Sequence, residues 1–160
     1  MPVPAHLSPF WTAFLKTADK AAAARFYEAF SFGDSENLAD ELVELVLQET
    51  NRATAASLWT FEAQGTAPPK PGDLSIVTDS AGRPLCVIET QAVDVVPFCD
   101  VGGDFAVLEG EGDGTLSYWR EAHRQYFTRE CARIGREFAE VMPVVCERFA
   151  VVHRQCGNAV

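Results

Sequence analysis

The segment Asn51–Thr54 contains the first side chains whose types and spacing could do chemistry. Thr54 carries a hydroxyl group, which becomes an effective nucleophile only when a neighbouring base removes its proton. Asn51 cannot accept a proton at neutral pH, and the guanidinium of Arg52 stays protonated, so it serves as a clamp and not as a base. Glu89 and His123 are alternative bases, although nothing in the sequence places either of them beside Thr54.

Glu89 is the second candidate, because it interrupts the apolar, strand-like run VIETQAV. Alternation along a strand sets it against Ile88 and Thr90, so it either faces solvent on a half-buried strand or lines a cleft. In a cleft its carboxylate could accept a hydrogen bond from a base amino group, as acidic side chains do from cytosine N4. Both interpretations stay open.

Trp119, Arg120, His123 and Arg124 form a third candidate group at helical spacing. Trp119 and His123 share one helix face, and the two arginines share a neighbouring one. The group is either a core tryptophan beside surface arginines, or a helix that offers Arg to phosphate and Trp as a stacking surface for a base.

The acidic side chains Glu109, Glu111 and Asp113 stand at alternate positions, where carboxylates could hold Mg²⁺ or Ca²⁺. The stretch lacks the twelve-residue pattern of an EF-hand, so an acidic solvated loop is the favoured interpretation. We therefore predict no metal site and no cofactor.

The five cysteines are odd in number and include no CxxC pair. This pattern indicates reduced thiols and not a disulfide framework. Cys86 and Cys146 lie in apolar runs, where a thiol behaves as a small hydrophobic side chain.

The formal net charge of −10, from 23 acidic and 13 basic residues, disfavours a general binder of long nucleic acids. A polyanion is attracted by several Lys and Arg contacts, although a local basic patch can act against an acidic total. The chain has no apolar run of membrane-spanning length and no signal-peptide pattern at its start. A cytoplasmic protein without membrane contact is expected.

The pattern of apolar and turn-forming residues predicts one α+β domain with segregated helices and strands. The turn Asp79–Gly82 joins two of the strands as a hairpin. Helices are predicted at 8–30, 36–49 and 115–139; strands at 54–61, Leu74–Thr78, Leu85–Val96 and 144–153; and loops at 64–72 and 100–114, the latter interrupted by a short apolar turn.

Several blocks, in this order and spacing, resemble a bacterial subfamily of the ASCH domain family with an additional N-terminal helix. The resemblance covers residues 8–154 as a single domain and leaves 1–7 and 155–160 as expected flexible termini. The blocks are FGDSENLADELVELVL (32–47), RATAASLW (52–59), IET (88–90), EGEGDGTLSYWREAHRQYF (109–127) and MPVVCERFAVVH (142–153).

The resemblance implies a PUA-like fold, a small, mostly antiparallel β-barrel flanked by helices. It also implies a cleft that binds RNA or a nucleotide-like or nucleoside-like ligand. Some ASCH proteins resemble amidohydrolases of N4-acylated cytidine that use a Thr–Lys–Glu triad. Others are described as metal-dependent ribonucleases, and in that case Mg²⁺ would be the cofactor. The triad Thr falls on Thr54 and the Glu on Glu89, but the Lys position holds Asn51.

We therefore expect a binding module whose cleft contacts RNA or a small nucleotide-like ligand. The first alternative is a hydrolase with Thr54 and Glu89 as catalytic residues, and the second is a non-catalytic partner-binding domain. The candidate ligand-binding residues are Asn51, Arg52, Thr54, Glu89, Trp119, Arg120 and His123.

Overall fold

The computed structural model describes residues 2–32, 44–48, 52–110 and 112–155. The helices are α1 (Ser8–Leu15), α2 (Leu58–Gln64), α3 (Gly103–Glu109) and α4 (Leu116–Arg133). The strands are β1 (Phe26–Phe30), β2 (Ala53–Ser57), β3 (Leu74–Thr78), β4 (Pro84–Pro97) and β5 (Pro143–Arg154). Short 3₁₀ helices cover Ala5–Leu7, Ala22–Arg25 and Phe98–Asp100.

The strands form one five-stranded sheet in the order β1-β3-β4-β5-β2. β1 runs parallel to β3, and the other three neighbouring pairs are antiparallel. Helices flank this mixed sheet, so the predicted α+β class is confirmed.

The mostly antiparallel pairing is also as predicted, but the sheet does not form the predicted small β-barrel, because β1 and β2 are its two edges and do not pair in the described part of the chain. The predicted strand at 54–61 ends early for a local reason. The side chain of Ser57 accepts a hydrogen bond from the backbone N–H of Trp59 and caps α2. A strand as short as β2 offers little edge on which a barrel could close.

The predicted helix at 8–30 is correct only in its first part. α1 ends at Leu15, and the chain then reaches β1 through the 3₁₀ turn Ala22–Arg25. Alanine favours helix locally, but Phe26 and Ala29 pack against the buried residues beneath α1, and β1 pairs with β3. Tertiary pairing therefore outweighs propensity here.

The predicted helix at 115–139 ends sooner than expected. α4 stops at Arg133 because Gly135 adopts a positive φ of 74°, and the N–H of Arg136 bonds the carbonyl of Cys131. This is the usual left-handed helix end with glycine. In the predicted loop at 100–114, the apolar turn is the helix α3.

Other predicted elements are confirmed. β3 and β4 match the two apolar runs, and the Asp79 carboxylate accepts the N–H groups of Ala81 and Arg83 in the turn between them. Of the helix predicted at 36–49, residues 44–47 are helical; apart from Gln48, the rest lies outside the described residues.

Three groups of buried side chains stabilise the sheet. The α1 core lies beneath α1, the α4 core lies between α4 and strands β2 and β5, and the Phe149 core lies on the opposite face of β5. The α1 core includes Leu7, Phe10, Phe14, Leu74 and Val87; the α4 core includes Ala53, Phe98, Trp119, Val144 and Cys146; the Phe149 core includes Phe32, Val46, Val77, Cys86 and Phe149.

Cys86 and Cys146 are buried free thiols, as predicted.

None of the helices in the described part of the chain is both long and apolar enough to cross a lipid bilayer.

Candidate functional site

Thr54 lies on β2 directly opposite Glu147 on β5. Ala53 and Cys146, the chain neighbours of these two residues, belong to the α4 core. Because side chains alternate along a strand, Thr54 and Glu147 point to the other face of the sheet. The same face receives the hydroxyl of Thr90 from β4, which donates a 2.6 Å hydrogen bond to Oε2 of Glu147.

Glu147 is a buried acid, with only 8% of its surface exposed. Its pKa is raised to about 7: burial raises it most, the hydrogen bond from Thr90 lowers it, and the charges of Glu28 and Asp73 raise it. Desolvation dominates because the charged form loses its water without gaining a cation. This carboxyl group therefore titrates near neutral pH.

Tyr27 and Glu28 on β1, and Asp73 just before β3, extend this polar face. Burial raises the pKa of Glu28, and burial together with the charges of Glu28, Glu147 and Asp73 raises the pKa of Tyr27. Asp73 is buried and accepts hydrogen bonds from the backbone N–H and Nζ of Lys70, at 2.9 and 3.0 Å.

These interactions connect residues on distant strands. Glu28 lies on one edge strand, and Glu147 lies on the strand next to the other edge, yet their charges interact. We call these residues, together with their neighbours on the same face, the polar row: Tyr27, Glu28, Thr54, Asp73, Thr90 and Glu147.

Glu89 is not part of this row. Its Oε2 lies 2.9 Å from Nη1 of Arg25, which also donates to the carbonyl of Gly72 at 2.8 Å. Alternation along β4 directs Glu89 to the face opposite Thr90, the face on which Val87 joins the α1 core. The structure thus places Thr54 and Glu89 on different faces of the sheet.

Arg52 precedes β2 and is exposed. Its backbone N–H donates to the carbonyl of Leu108 at 2.7 Å, and its own carbonyl accepts from the N–H of Phe149 at 2.9 Å. Arg52 therefore has a fixed backbone at the start of the strand that carries Thr54. Asn51 lies outside the described residues.

Trp119 and His123 are core residues, with 2% and 7% of their surfaces exposed. Their rings stack on each other at 4.1 Å, and Trp119 packs in the α4 core with Ala53 and Cys146. They therefore lie on the opposite side of the sheet from Thr54. Arg120 is partly buried, and its Nη2 donates to the carbonyl of Cys99 at 3.4 Å.

A metal centre is not evident in the described ranges. No group of three or more His, Cys, Asp or Glu side chains within them is arranged to hold a metal ion. Glu109, part of the acidic stretch considered for Mg²⁺ or Ca²⁺, instead turns its carboxylate towards Trp119 and His123.

Glu147, which the structure makes the centre of the row, was not among the residues predicted from the sequence. A signal for it exists: Val145 and Phe149 flank it at two-residue spacing and are both buried. Alternation thus directs Glu147 to a buried face as well. The participation of Glu28 and Asp73 depends on which strands pair in the sheet, which no local pattern in the sequence specifies.

The five-stranded mixed sheet, flanked by helices and bearing the polar row on one face, defines a PUA-like α+β domain. The ASCH domain family matches residues 28–153, and the chain belongs to that family. This confirms the resemblance found in the sequence blocks.

Two solved structures are similar to this chain over most of its length. The ASCH domain from Lactobacillus crispatus JV V101 is 32% identical, with a TM-score of 0.87 over 96% of this chain and 98% of that one. A protein from Enterococcus faecalis V583 is also 32% identical, with a TM-score of 0.83 over 92% and 88% of the two chains. No curated protein sequence matches.

Proposed function

We propose that the polar row binds the base of a nucleotide-like or nucleoside-like ligand, or of an RNA segment. The observation that carries the proposal is the Glu147 carboxyl group, buried opposite Thr54 and hydrogen-bonded by Thr90. A protonated carboxyl group offers one donor and one acceptor side by side, and an ionised one offers acceptors only. Either form can match hydrogen-bonding groups on the edge of a base.

Charge supports a base, and not a phosphate, at this position. Glu28, Asp73 and Glu147 interact electrostatically, so their side of the sheet would repel an anion. A phosphate group would have to lie outside the row. Arg52, exposed at the start of β2, is the residue that we assign to contact it, since a guanidinium binds phosphate oxygens in bidentate fashion.

Calorimetric titration tests this proposal with the four nucleoside monophosphates, the four nucleosides and a short single-stranded RNA. We expect at least one to bind, and Glu147→Gln and Thr54→Val each to weaken that binding by about tenfold, the effect of a lost buried hydrogen bond. Glu62→Gln is the matched control, because it makes the same chemical change on an exposed residue of α2.

Absence of binding by every ligand would contradict the proposal and favour a partner-binding domain. Equal losses of ligand affinity in Glu147→Gln and Glu62→Gln would contradict the assignment of the polar row as the binding site. Loss of affinity for nucleotides but not nucleosides in Arg52→Ala would support the phosphate contact.

A hydrolase is the second candidate, and one observation favours it. A carboxyl group whose pKa is about 7 can take up and return a proton at neutral pH, and Glu147 lies opposite the hydroxyl of Thr54. In this alternative Thr54 is the nucleophile and Glu147, not Glu89, is the base. Incubation with N4-acetylcytidine and with labelled RNA, with and without Mg²⁺, tests it. Turnover that is lost in both Thr54→Val and Glu147→Gln would establish the hydrolase.

A further inference from the structure

Glu109 is the last residue of α3, and its side chain is almost completely buried, with 2% exposed. A negative charge at the C-terminus of a helix opposes the helix dipole, and burial removes its water. Two groups on α4 offset these costs. Oε2 of Glu109 accepts a hydrogen bond from Nε1 of Trp119 and lies 3.1 Å from Nε2 of His123.

His123 links α4 to the end of α3. Its Nδ1 lies 2.9 Å from the carbonyl oxygen of Trp119, which can only accept, so Nδ1 must donate. Its Nε2 faces Oε2 of Glu109, the same oxygen that accepts the indole N–H of Trp119.

The end of α3 is also connected to the candidate site. The carbonyl of Leu108, the residue before Glu109, accepts the 2.7 Å hydrogen bond from the N–H of Arg52. The carbonyl of Arg52 accepts from Phe149 on β5 at 2.9 Å. The backbone of Arg52 is thus held between α3 and β5, two positions before Thr54.

We propose that Glu109, His123 and Trp119 act as a positioning cluster for the site on the other face of the sheet. Their hydrogen bonds fix the end of α3 against α4, and this fixes the Leu108 carbonyl. That carbonyl in turn sets the backbone of Arg52 and the entry of β2. None of the three touches the ligand. The expected effect on ligand affinity rests on the proposed function, but the effect on the backbone does not.

Amide hydrogen exchange measured by NMR tests the cluster without any ligand. In Glu109→Ala we expect the amide of Arg52 to exchange about tenfold faster, because the acceptor at Leu108 is no longer held. The amides of Val87 and Ile88 in the central strand β4 should keep their wild-type rates. Val107→Ala is the matched control, since Val107 lies in the same helix with its side chain 64% exposed.

Glu109→Gln provides the conservative rescue. Its amide group takes the place of the carboxylate, but Nε1 of Trp119 and Nε2 of His123 both face the same atom, so the amide oxygen or NH₂ placed there keeps one of the two hydrogen bonds. We expect the exchange rate of the Arg52 amide to return to within about threefold of the wild type.

Three results would overturn the proposal: a wild-type rate for the Arg52 amide in folded Glu109→Ala, an equal acceleration in Val107→Ala, or no rescue by Glu109→Gln. If Glu109→Ala does not fold, Trp119→Phe replaces it, because this change keeps an aromatic ring and removes one donor. An acceleration of about threefold is then expected, and an unchanged rate would refute the cluster. If no nucleotide binds but the exchange results hold, only the proposed function fails.

Discussion

Thr54 on β2 and Glu147 on β5 are direct cross-strand partners on the face of the sheet that is turned away from α4. The hydroxyl of Thr90 on β4 donates a hydrogen bond to Glu147. A hydroxyl group and a buried acid thus stand side by side next to the edge strand β2. This arrangement gives the protein a proton that is bound or released near neutral pH.

The titration of Glu147 should lower the stability of the protein as pH rises from about 5 to about 8. Its pKa in the folded state is about 7, above the usual 4.5, so between these values the folded protein holds a proton that the unfolded chain has released. Rising pH therefore removes stability, by an amount of about 3 kcal/mol when complete. Glu147→Gln should abolish this contribution.

Urea unfolding of the wild type and of Glu147→Gln at several pH values measures this contribution of Glu147 to stability. The free energy of unfolding of the variant, relative to wild type, should increase with pH by up to about 3 kcal/mol. Glu62→Gln should show no such trend, because Glu62 is exposed. Parallel curves for wild type and Glu147→Gln would show that Glu147 does not hold this proton.

Thr90→Val should raise the pKa of Glu147 further. Burial is the main reason that this pKa is high, and the hydrogen bond from Thr90 is what lowers it. Valine keeps the shape of threonine but cannot donate, so the ionised form loses its partner. A carboxyl ¹³C NMR titration of Glu147 measures the change, and an unchanged or lower pKa in Thr90→Val would be incompatible with this contact.

Gly112→Ala should destabilise the protein more than Gly114→Ala. Both glycines have positive φ, 56° and 75°, which costs an alanine about 1 kcal/mol. At Gly112 a Cβ would also overlap the ring of Tyr118, whereas nothing lies near a Cβ at Gly114. We expect an additional cost of about 1 kcal/mol at Gly112 in thermal or urea unfolding.

The double variant Gly112→Ala/Tyr118→Ala isolates that overlap. Measured against Tyr118→Ala alone, the alanine at Gly112 should cost no more than the one at Gly114. Equal effects of the two single glycine variants would mean that Tyr118 moves aside freely.

Arg25 and Glu89 should behave as an ion pair and not as a ligand contact. Their charged atoms are 2.9 Å apart, and each side chain is 31% exposed, so solvent screens the pair. A double-mutant cycle of Arg25→Ala and Glu89→Ala should give a coupling of about 0.5–1 kcal/mol in stability. Ligand affinity should fall less in Glu89→Gln than in Glu147→Gln. A larger loss of affinity in Glu89→Gln would show that Glu89 belongs to the binding site.

The fold was predictable from sequence where the signal is local. The Asp79–Gly82 turn and the apolar runs on either side correctly give the β3–β4 hairpin. β1 was not predictable in this way, because an alanine-rich segment precedes Phe26, and only its pairing with β3 makes it a strand. The order of the strands in the sheet also depends on pairing between distant segments.

The candidate site was predictable only in part for the same reason. Thr54 could be identified from the sequence, since the resemblance to ASCH proteins depends on the block that contains it. Trp119 and His123 have residue types that suit nucleotide binding, but both are buried on the α4 side of the sheet, opposite Thr54. Glu147 required knowledge of which strand lies opposite β2, and that is a property of the sheet.

Mapping ligand-induced changes in backbone amide chemical shifts is the most direct test of the central claim. On addition of nucleoside monophosphates or a short RNA, we predict the largest changes at Thr54, Thr90 and Glu147, with smaller ones along α4. These changes should disappear in Glu147→Gln and persist in Glu62→Gln. Changes confined to α4, or none with any of the ligands, would contradict the account.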